Sequence, residues 1–330
     1  MASSIAKTLA DNLGNNKKNS YTEILDNSYS SLFAKKFGIK EYRDREKFHQ
    51  AFRVCTEGQG NELKSINNVA SSALLPLLTF FRIFGEKSGL SFDFKHEDFE
   101  TGTIEFDQCF FEVRNKVIRF PSCVDLALYS SKQNVLLFIE SKLSEYLRTT
   151  PDFEIKKGYS ALYSMMDYKD ILSDGDIIFD GSKIKFKEGG KAYFEGIKQS
   201  VSHLIGLVQG PSSSCKGVYY PEEYLQAYKN CYTSANTIYY ATIILNPLMI
   251  GVQAENDDFK KYEGYVKLYS EIIGKHGGEI IECIRNWPKL KNDQGKNIKV
   301  LSEPLDYHDV FANNTHLLLD DVRRFYKFEE

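Results

Sequence analysis

The sequence predicts an α/β protein: a central mixed β-sheet flanked by helices, with a helical extension ahead of it. Three observations carry this. Val124 to Tyr129, Val135 to Leu143 and Thr237 to Leu245 are apolar runs of strand length. Segments of helical period, Phe194 to Val208 and Tyr262 to Ile273 among them, stand between and beyond those runs. The chain of 330 residues, 42% apolar and 14% aromatic, can bury one sizeable core or two small ones without disulfides or structural metals.

Met1 to Asn19 lacks the charged-then-apolar pattern of a secretory leader and turns polar through Gly14-Asn15-Asn16-Lys17-Lys18, so loose order is expected there. From Tyr21 to Phe52, Leu25, Leu32, Phe33, Phe37, Phe48 and Phe52 are interleaved with charges in a helical pattern. Residues 1–60 are therefore read as a helical extension. Residues 61–330 are read as one α/β domain with C-terminal additions, because no internal repeat or low-complexity linker divides them. After the break at Gly58-Gln59-Gly60-Asn61, an apolar helix is expected from about Glu62 or Ser65 to Phe84, bent at Pro76 and closed by Gly85.

A charged loop leads to short strands at Gly102 to Phe106, Phe110 to Val113 and Val117 to Phe120, with Arg114-Asn115-Lys116 turning between the last two. Val124 to Tyr129 and Val135 to Leu143 form a hairpin across the polar turn 130–134. Phe153 to Met166 reads as an amphipathic helix, Asp176 to Phe186 as a hairpin around Asp180-Gly181, and Phe194 to Val208 as a helix ended by Gly210. An aromatic loop follows. Thr237 to Leu245, apolar throughout, suits a central strand covered on both faces. Tyr262, Tyr265, Val266, Tyr269, Ile272 and Ile273 mark a packed helix, and Glu279 to Ile284 an edge strand.

Several function classes are disfavoured. The six cysteines are scattered with no C-x-x-C pair, which argues against a zinc knuckle or a disulfide framework and for a reducing cytoplasm. His49, His96, His276, His308 and His316 are isolated, so a zinc site built from them is not expected. Gly277-Gly278 and Asp174-Gly175 read as turns, outside any phosphate-cradling glycine motif, and no G-x-S-x-G elbow occurs. The apolar runs are too short to span a membrane. A net charge of −3 gives no overall pull toward nucleic acid. Any basic face must be local, as in the lysines at 183, 185, 187, 191 and 198 or at 289, 291, 296 and 299.

The chemistry concentrates in the central hairpin. Asp125 interrupts an apolar strand, where an ionised carboxylate is costly to bury without a partner. In Val135-Leu-Leu-Phe-Ile-Glu140-Ser-Lys142, the strand period of two puts Glu140 and Lys142 on one face and Ser141 on the other. If the two strands pair antiparallel, Asp125 can approach Glu140 across the ladder. Two carboxylates with a backbone carbonyl, that of Ser141, suit a hard divalent cation such as Mg²⁺ or Mn²⁺, which completes its shell with water and phosphate oxygens. Lys142 is placed to hold or deprotonate a water and to offset charge developing on phosphorus.

Pro121-Ser-Cys-Val-Asp125 followed by Ile139-Glu140-Ser141-Lys142 resembles the split Asp and E-x-K motif of the PD-(D/E)XK nuclease superfamily. That resemblance implies a restriction endonuclease-like core: helix, three antiparallel strands, helix, strand. Ser71-Ser72-Ala73-Leu74 is similar to the start of the preceding helix in several such families, where an additional acid often stands; Glu62 is the candidate, in the helix or in the loop before it. The superfamily often carries Q-x-x-x-Y on the next helix, and Gln199-Ser-Val-Ser-His203 is similar to it, with His in place of Tyr and both residues on one helical face.

The expected catalytic set is thus Asp125, Glu140, Lys142, Gln199 and His203, with Asp125, Glu140 and Ser141 holding the metal. The expected function is metal-dependent hydrolysis of nucleic acid, DNA in the first instance, with a homodimer left open. The alternative is an inactive member of the fold that binds nucleic acid or another partner. A glycosidase using Asp125 and Glu140 is disfavoured, because Lys142 beside them holds both ionised and one must be protonated.

Overall fold

The computed structural model describes residues 5, 7–9, 37–56, 71–85, 89–117, 121–143, 153–154, 177–180, 183–186, 191–212, 222–287, 290 and 292–328; for 153–154, 177–180, 183–186, 191–198, 268 and 272 it describes the backbone alone. In chain order the elements are α1 (Tyr42–Thr56), α2 (Leu74–Phe80), β1 (Phe92–Lys95), β2 (Thr103–Phe106), β3 (Gln108–Asn115), β4 (Ser122–Ser130), β5 (Val135–Lys142), β6 (Phe153–Glu154), β7 (Ile177–Asp180) and β8 (Lys183–Phe186). They continue with α3 (Lys191–Gln209), α4 (Glu222–Ser234), β9 (Thr237–Ile244), α5 (Asp257–Tyr269), α6 (Lys275–Arg285), β10 (Asn297–Val300), β11 (Leu305–Asp306), α7 (Tyr307–Ala312) and α8 (Asp320–Tyr326).

A mixed sheet ordered β10-β9-β5-β4-β3 forms the centre, with β11 also paired to β9. β3, β4 and β5 are antiparallel neighbours, whereas β9 runs parallel to β5 from Val135↔Thr237 to Lys142↔Ile244. β5 and β9 are buried along their whole lengths. Their unbroken apolar pattern follows from this, since a strand covered on both faces has no wet side to alternate with. Each fully buried Leu, Ile or Phe contributes about 1.5–3 kcal/mol through lost apolar hydration. Parallel pairing needs a long crossover, and residues 143–236, with α3 and α4, supply it.

Side-chain alternation separates the two faces of the sheet. Lys142 and Tyr240 reach α3, where they meet Gln199 and Ser200. Ser141 and Tyr239 point the other way: Ser141 Oγ lies 2.9 Å from Tyr307 Oη of α7, and Tyr239 Oη accepts the Glu100 N–H at 3.1 Å. The N-terminal residues join this core. Phe48 of α1 packs edge-on against Phe81, Phe37 against Phe325, and Ile5 and Leu9 are buried with them. Of the stretch expected to be loosely ordered, Ile5 and Leu9 have apolar side chains that enter the core, and 1–4, 6 and 10–19 lie outside the described residues.

Several elements differ from the sequence expectation. The helix expected up to Phe84 is described only as α2 and a following 3₁₀ turn, Phe81–Ile83; Pro76 lies in its first turn, where a missing N–H is tolerated and no mid-helix bend arises. Gly85, at φ 76°, closes it as expected. β3 runs through Arg114 and Asn115, which pair with Cys123 and Ser122 instead of turning. The buried Asn115 is held there by the Tyr228 hydroxyl, which donates to its Oδ1 at 2.6 Å. The charged loop contains β1, paired with β2, and the aromatic stretch leads into α4, with Tyr224, Tyr228 and Tyr232 buried. Phe153 and Glu154 pair with β8 rather than starting a helix, and the remainder of that expected helix lies outside the described residues. The hairpin β7–β8 and the helix α3 ending at Gly210 agree with expectation.

Glu279 to Ile284 is helical, part of α6, and the strand on that side of β9 is β10. Gly277 is no turn but a contact point, since a Cβ there would meet Val300 of β10 at 2.5 Å. Gly274, ending the π-turn Ser270–Gly274, is closer still: a Cβ would lie 1.9 Å from the Ser302 carbonyl oxygen. Because that obstacle is backbone, Gly274→Ala is expected to lower stability by about 1–3 kcal/mol. Thermal melting reads this, and an unchanged midpoint would contradict the close approach. Among the described residues no helix is long and apolar enough to cross a membrane.

Candidate functional site

The site forms where the β4–β5 ladder stops. Paired residues end at Leu126↔Ile139, and one step further Asp125 Oδ2 accepts the N–H of Ser141 at 2.8 Å, so the carboxylate fastens the end of β5 in place of a ladder bond. On β5, Lys142 Nζ donates to Glu140 Oε1 at 2.5 Å and to Gln199 Oε1 at 3.0 Å. The ion pair is nearly dry, with side-chain exposures of 7% for Lys142 and 2% for Glu140. A pair so buried is held by geometry, because its desolvation cost rivals its attraction.

His203, one helical turn beyond Gln199 on α3, lies behind Glu140: its Nε2 is 3.7 Å from Glu140 Oε2 and its Nδ1 is 3.0 Å from Tyr240 Oη. Tyr240 in turn donates to Ser200 Oγ at 3.0 Å. Burial holds the imidazole below the ordinary histidine range, against the Glu140 carboxylate, which raises it; Lys142 lowers it further, and a hydrogen bond to the Cys123 backbone raises it.

The electrostatics of the acids follow from crowding. Burial, then the Glu140 and Glu112 carboxylates, push the Asp125 carboxyl well above its usual range, while Lys142 and the Ser141 N–H pull it back. Glu140 Oε2 is buried without a hydrogen-bond partner among the described residues. An orphaned carboxylate oxygen beside a second acid, with Lys142 bonded to the other oxygen, Oε1, suits a divalent cation. Among the described residues no cluster of three or more His, Cys, Asp or Glu side chains can hold a metal. A cation here would take two carboxylates and draw its remaining ligands from backbone, water and substrate, as Mg²⁺ does.

The structure thus brings Asp125, Glu140, Ser141, Lys142, Gln199 and His203 together where the β4–β5 pairing stops and the middle of α3 crosses it. Glu62 lies outside the described residues. Sequence reasoning missed Glu112, which stands opposite Asp125 in the β3–β4 register between Phe111↔Leu126 and Val113↔Val124. The signal was present: Phe110-Phe111-Glu112-Val113 is an acid inside an apolar run, as Asp125 is. Glu112 adopts a positive φ of 50° in mid-strand, and its Oε2 accepts the Cys123 thiol at 3.0 Å. Tyr240 and Ser200 were missed because neither residue type stands out inside an apolar strand or a helix.

Fold and site define a class: an α/β protein whose mixed sheet gathers two carboxylates and a lysine at its strand ends, faced by a glutamine and a histidine from one helix. No protein-family model, curated protein or solved structure matches this chain.

Proposed function

We propose that this protein hydrolyses phosphodiester bonds in nucleic acid, DNA in the first instance, with a divalent cation, Mg²⁺ or Mn²⁺, held by Asp125, Glu140 and the Ser141 carbonyl. The observation that carries this reading is Glu140 Oε2, buried and unpartnered next to Asp125 while Oε1 is locked to Lys142. The element order supports a restriction endonuclease-like core: α2, the antiparallel β3-β4-β5, α3, then β9 parallel to β5.

When bound, the cation supplies polarisation of the phosphodiester and acidification of water. The chain's own groups do the rest. Asp125, anchored by the Ser141 N–H, keeps one oxygen for a ligand. Lys142, steered by Glu140 and Gln199, presents a positive charge toward phosphorus and a donor for the attacking water. His203 backs Glu140 and limits where its free oxygen points.

A second reading, a binding module without catalysis, is favoured by one observation: the raised Asp125 carboxyl is more readily protonated than an ordinary one, and a protonated acid holds no cation. The experiment is cleavage of plasmid and single-stranded DNA with chelator, Mg²⁺ or Mn²⁺. The control is Glu140→Gln/Lys142→Met, which removes both charges of the ion pair together. Cation-dependent cutting by the wild type, reduced at least about 100-fold in the double variant, is expected. Equal cutting by both, or none by the wild type while DNA is bound, overturns the hydrolytic reading.

A further inference from the structure

We propose that Arg114 is an anion subsite beside the Asp125–Glu140–Lys142 site, taking a non-reacting phosphate of a nucleic-acid backbone. Among the described residues four arginines have a buried Nε without a hydrogen bond: Arg82, Arg114, Arg285 and Arg323. Three of them face an acid: Arg82 lies 3.2 Å from Asp44, Arg285 lies 3.4 Å from Asp293, and Arg323 pairs with Asp320. Arg114 is in no ion pair among the described residues. A partly desolvated guanidinium without a carboxylate favours an incoming anion, since that contact supplies what burial removed.

Its place in the sheet is what ties it to the site. Arg114 is the Cα partner of Cys123, two residues before Asp125 on β4. Asp125 is thus a diagonal neighbour of Arg114, about 7–8 Å away across the ladder and within the reach of a long side chain. The nearest acid on the strand of Arg114, Glu112, accepts from the Cys123 thiol at 3.0 Å. Arg114 is therefore a cation held next to the acids without being bonded to them.

The chemistry of the ligand follows from the donor. A guanidinium fork matches the paired oxygens of a phosphate, and does so without changing protonation near neutral pH. This part of the inference rests on the phosphodiester reading, because a nucleic-acid backbone presents a further phosphate beside the reacting one. Arg114 positions the strand, whereas the acids and Lys142 act on the reacting phosphate.

The test is fluorescence-anisotropy titration of a short labelled DNA duplex with the whole protein in chelator, so that no cleavage occurs, comparing wild type, Arg114→Ala and Arg114→Lys over a range of salt. Inorganic phosphate serves as competitor. About tenfold weaker binding by Arg114→Ala is expected, with partial rescue by Arg114→Lys, a salt slope smaller by about one, and loss of sensitivity to phosphate. If wild type cuts DNA, KM should rise in Arg114→Ala with kcat nearly unchanged.

Wild-type affinity and slope in Arg114→Ala overturn the proposal, as does a wild type that binds neither DNA nor phosphate. A wild type that binds DNA through Arg114 but never cuts it upholds the subsite and removes the hydrolytic reading. Cutting that is indifferent to Arg114 does the opposite. Arg114→Lys keeps the charge in the sheet, so a folding defect confined to Arg114→Ala still leaves the lysine variant's lost bidentate contact to decide.

Discussion

Asp125→Asn is expected to abolish cation-dependent cleavage and, in cation-free protein near neutral pH, to raise the melting temperature. Both effects come from one charge. The Asp125 carboxyl is raised by burial, by Glu140 and by Glu112. Between the ordinary aspartate range and the raised folded value, the folded state binds more protons than the unfolded state. Stability is therefore fully present at low pH and falls as pH rises through that window.

Asparagine can still accept the Ser141 N–H, so the strand end stays fastened while the repulsion goes. Relief of about 1 kcal/mol corresponds to a rise of roughly 1–2 °C for a chain of 330 residues. Loss of a direct ligand should weaken cation binding by more than the roughly 10–100-fold typical of outer-shell changes. Melting across pH, with and without Mg²⁺, reads all of this. The wild type should melt higher at acid than at neutral pH from this group and gain on adding cation. A variant that melts lower than wild type at neutral pH, or that still gains from Mg²⁺, would show that Asp125 is neither strained by its charge nor a ligand.

The larger effect on stability belongs to Glu140 and Lys142. Either Glu140→Gln or Lys142→Met alone leaves a buried charge unpaired, since the partners have side-chain exposures of 2% and 7%. Each single change is expected to destabilise by about 3–5 kcal/mol, and the double change to recover most of that loss. Denaturant unfolding of all four proteins measures the coupling. Additive single effects would mean that the 2.5 Å contact carries little of the local energy. If the double variant is as stable as the wild type yet inactive, the pair is maintained for chemistry rather than for the fold. This would match the usual finding that functional sites sacrifice stability.

Much of the framework was legible in the residues themselves. The runs 124–129, 135–143 and 237–245 became β4, β5 and β9 because continuous β-branched and apolar sequence can be buried on both faces, and no helix pattern competes there. The grouping of Asp125, Glu140 and Lys142 followed from strand period and hairpin geometry, both of which are local. The placement of Gln199 and His203 on one helical face was local as well.

Other features depended on partners distant in sequence. Residues 279–284 have edge-strand composition, yet they are helical, in an element whose Gly277 sits against Val300 and whose preceding Gly274 sits against Ser302. Arg114 and Asn115 read as a turn but continue β3, where Cys123, Ser122 and Tyr228 receive them. Glu112 and Arg114 joined the site only when β3 fell into register with β4. The sequence by itself determined β4 and β5, their faces and the acid-and-lysine set, since these depend on residues within one hairpin. Which further charges stand beside that set, and which of them lack a partner, was decided by the tertiary structure alone, because pairing across the sheet depends on register and packing that no local pattern encodes.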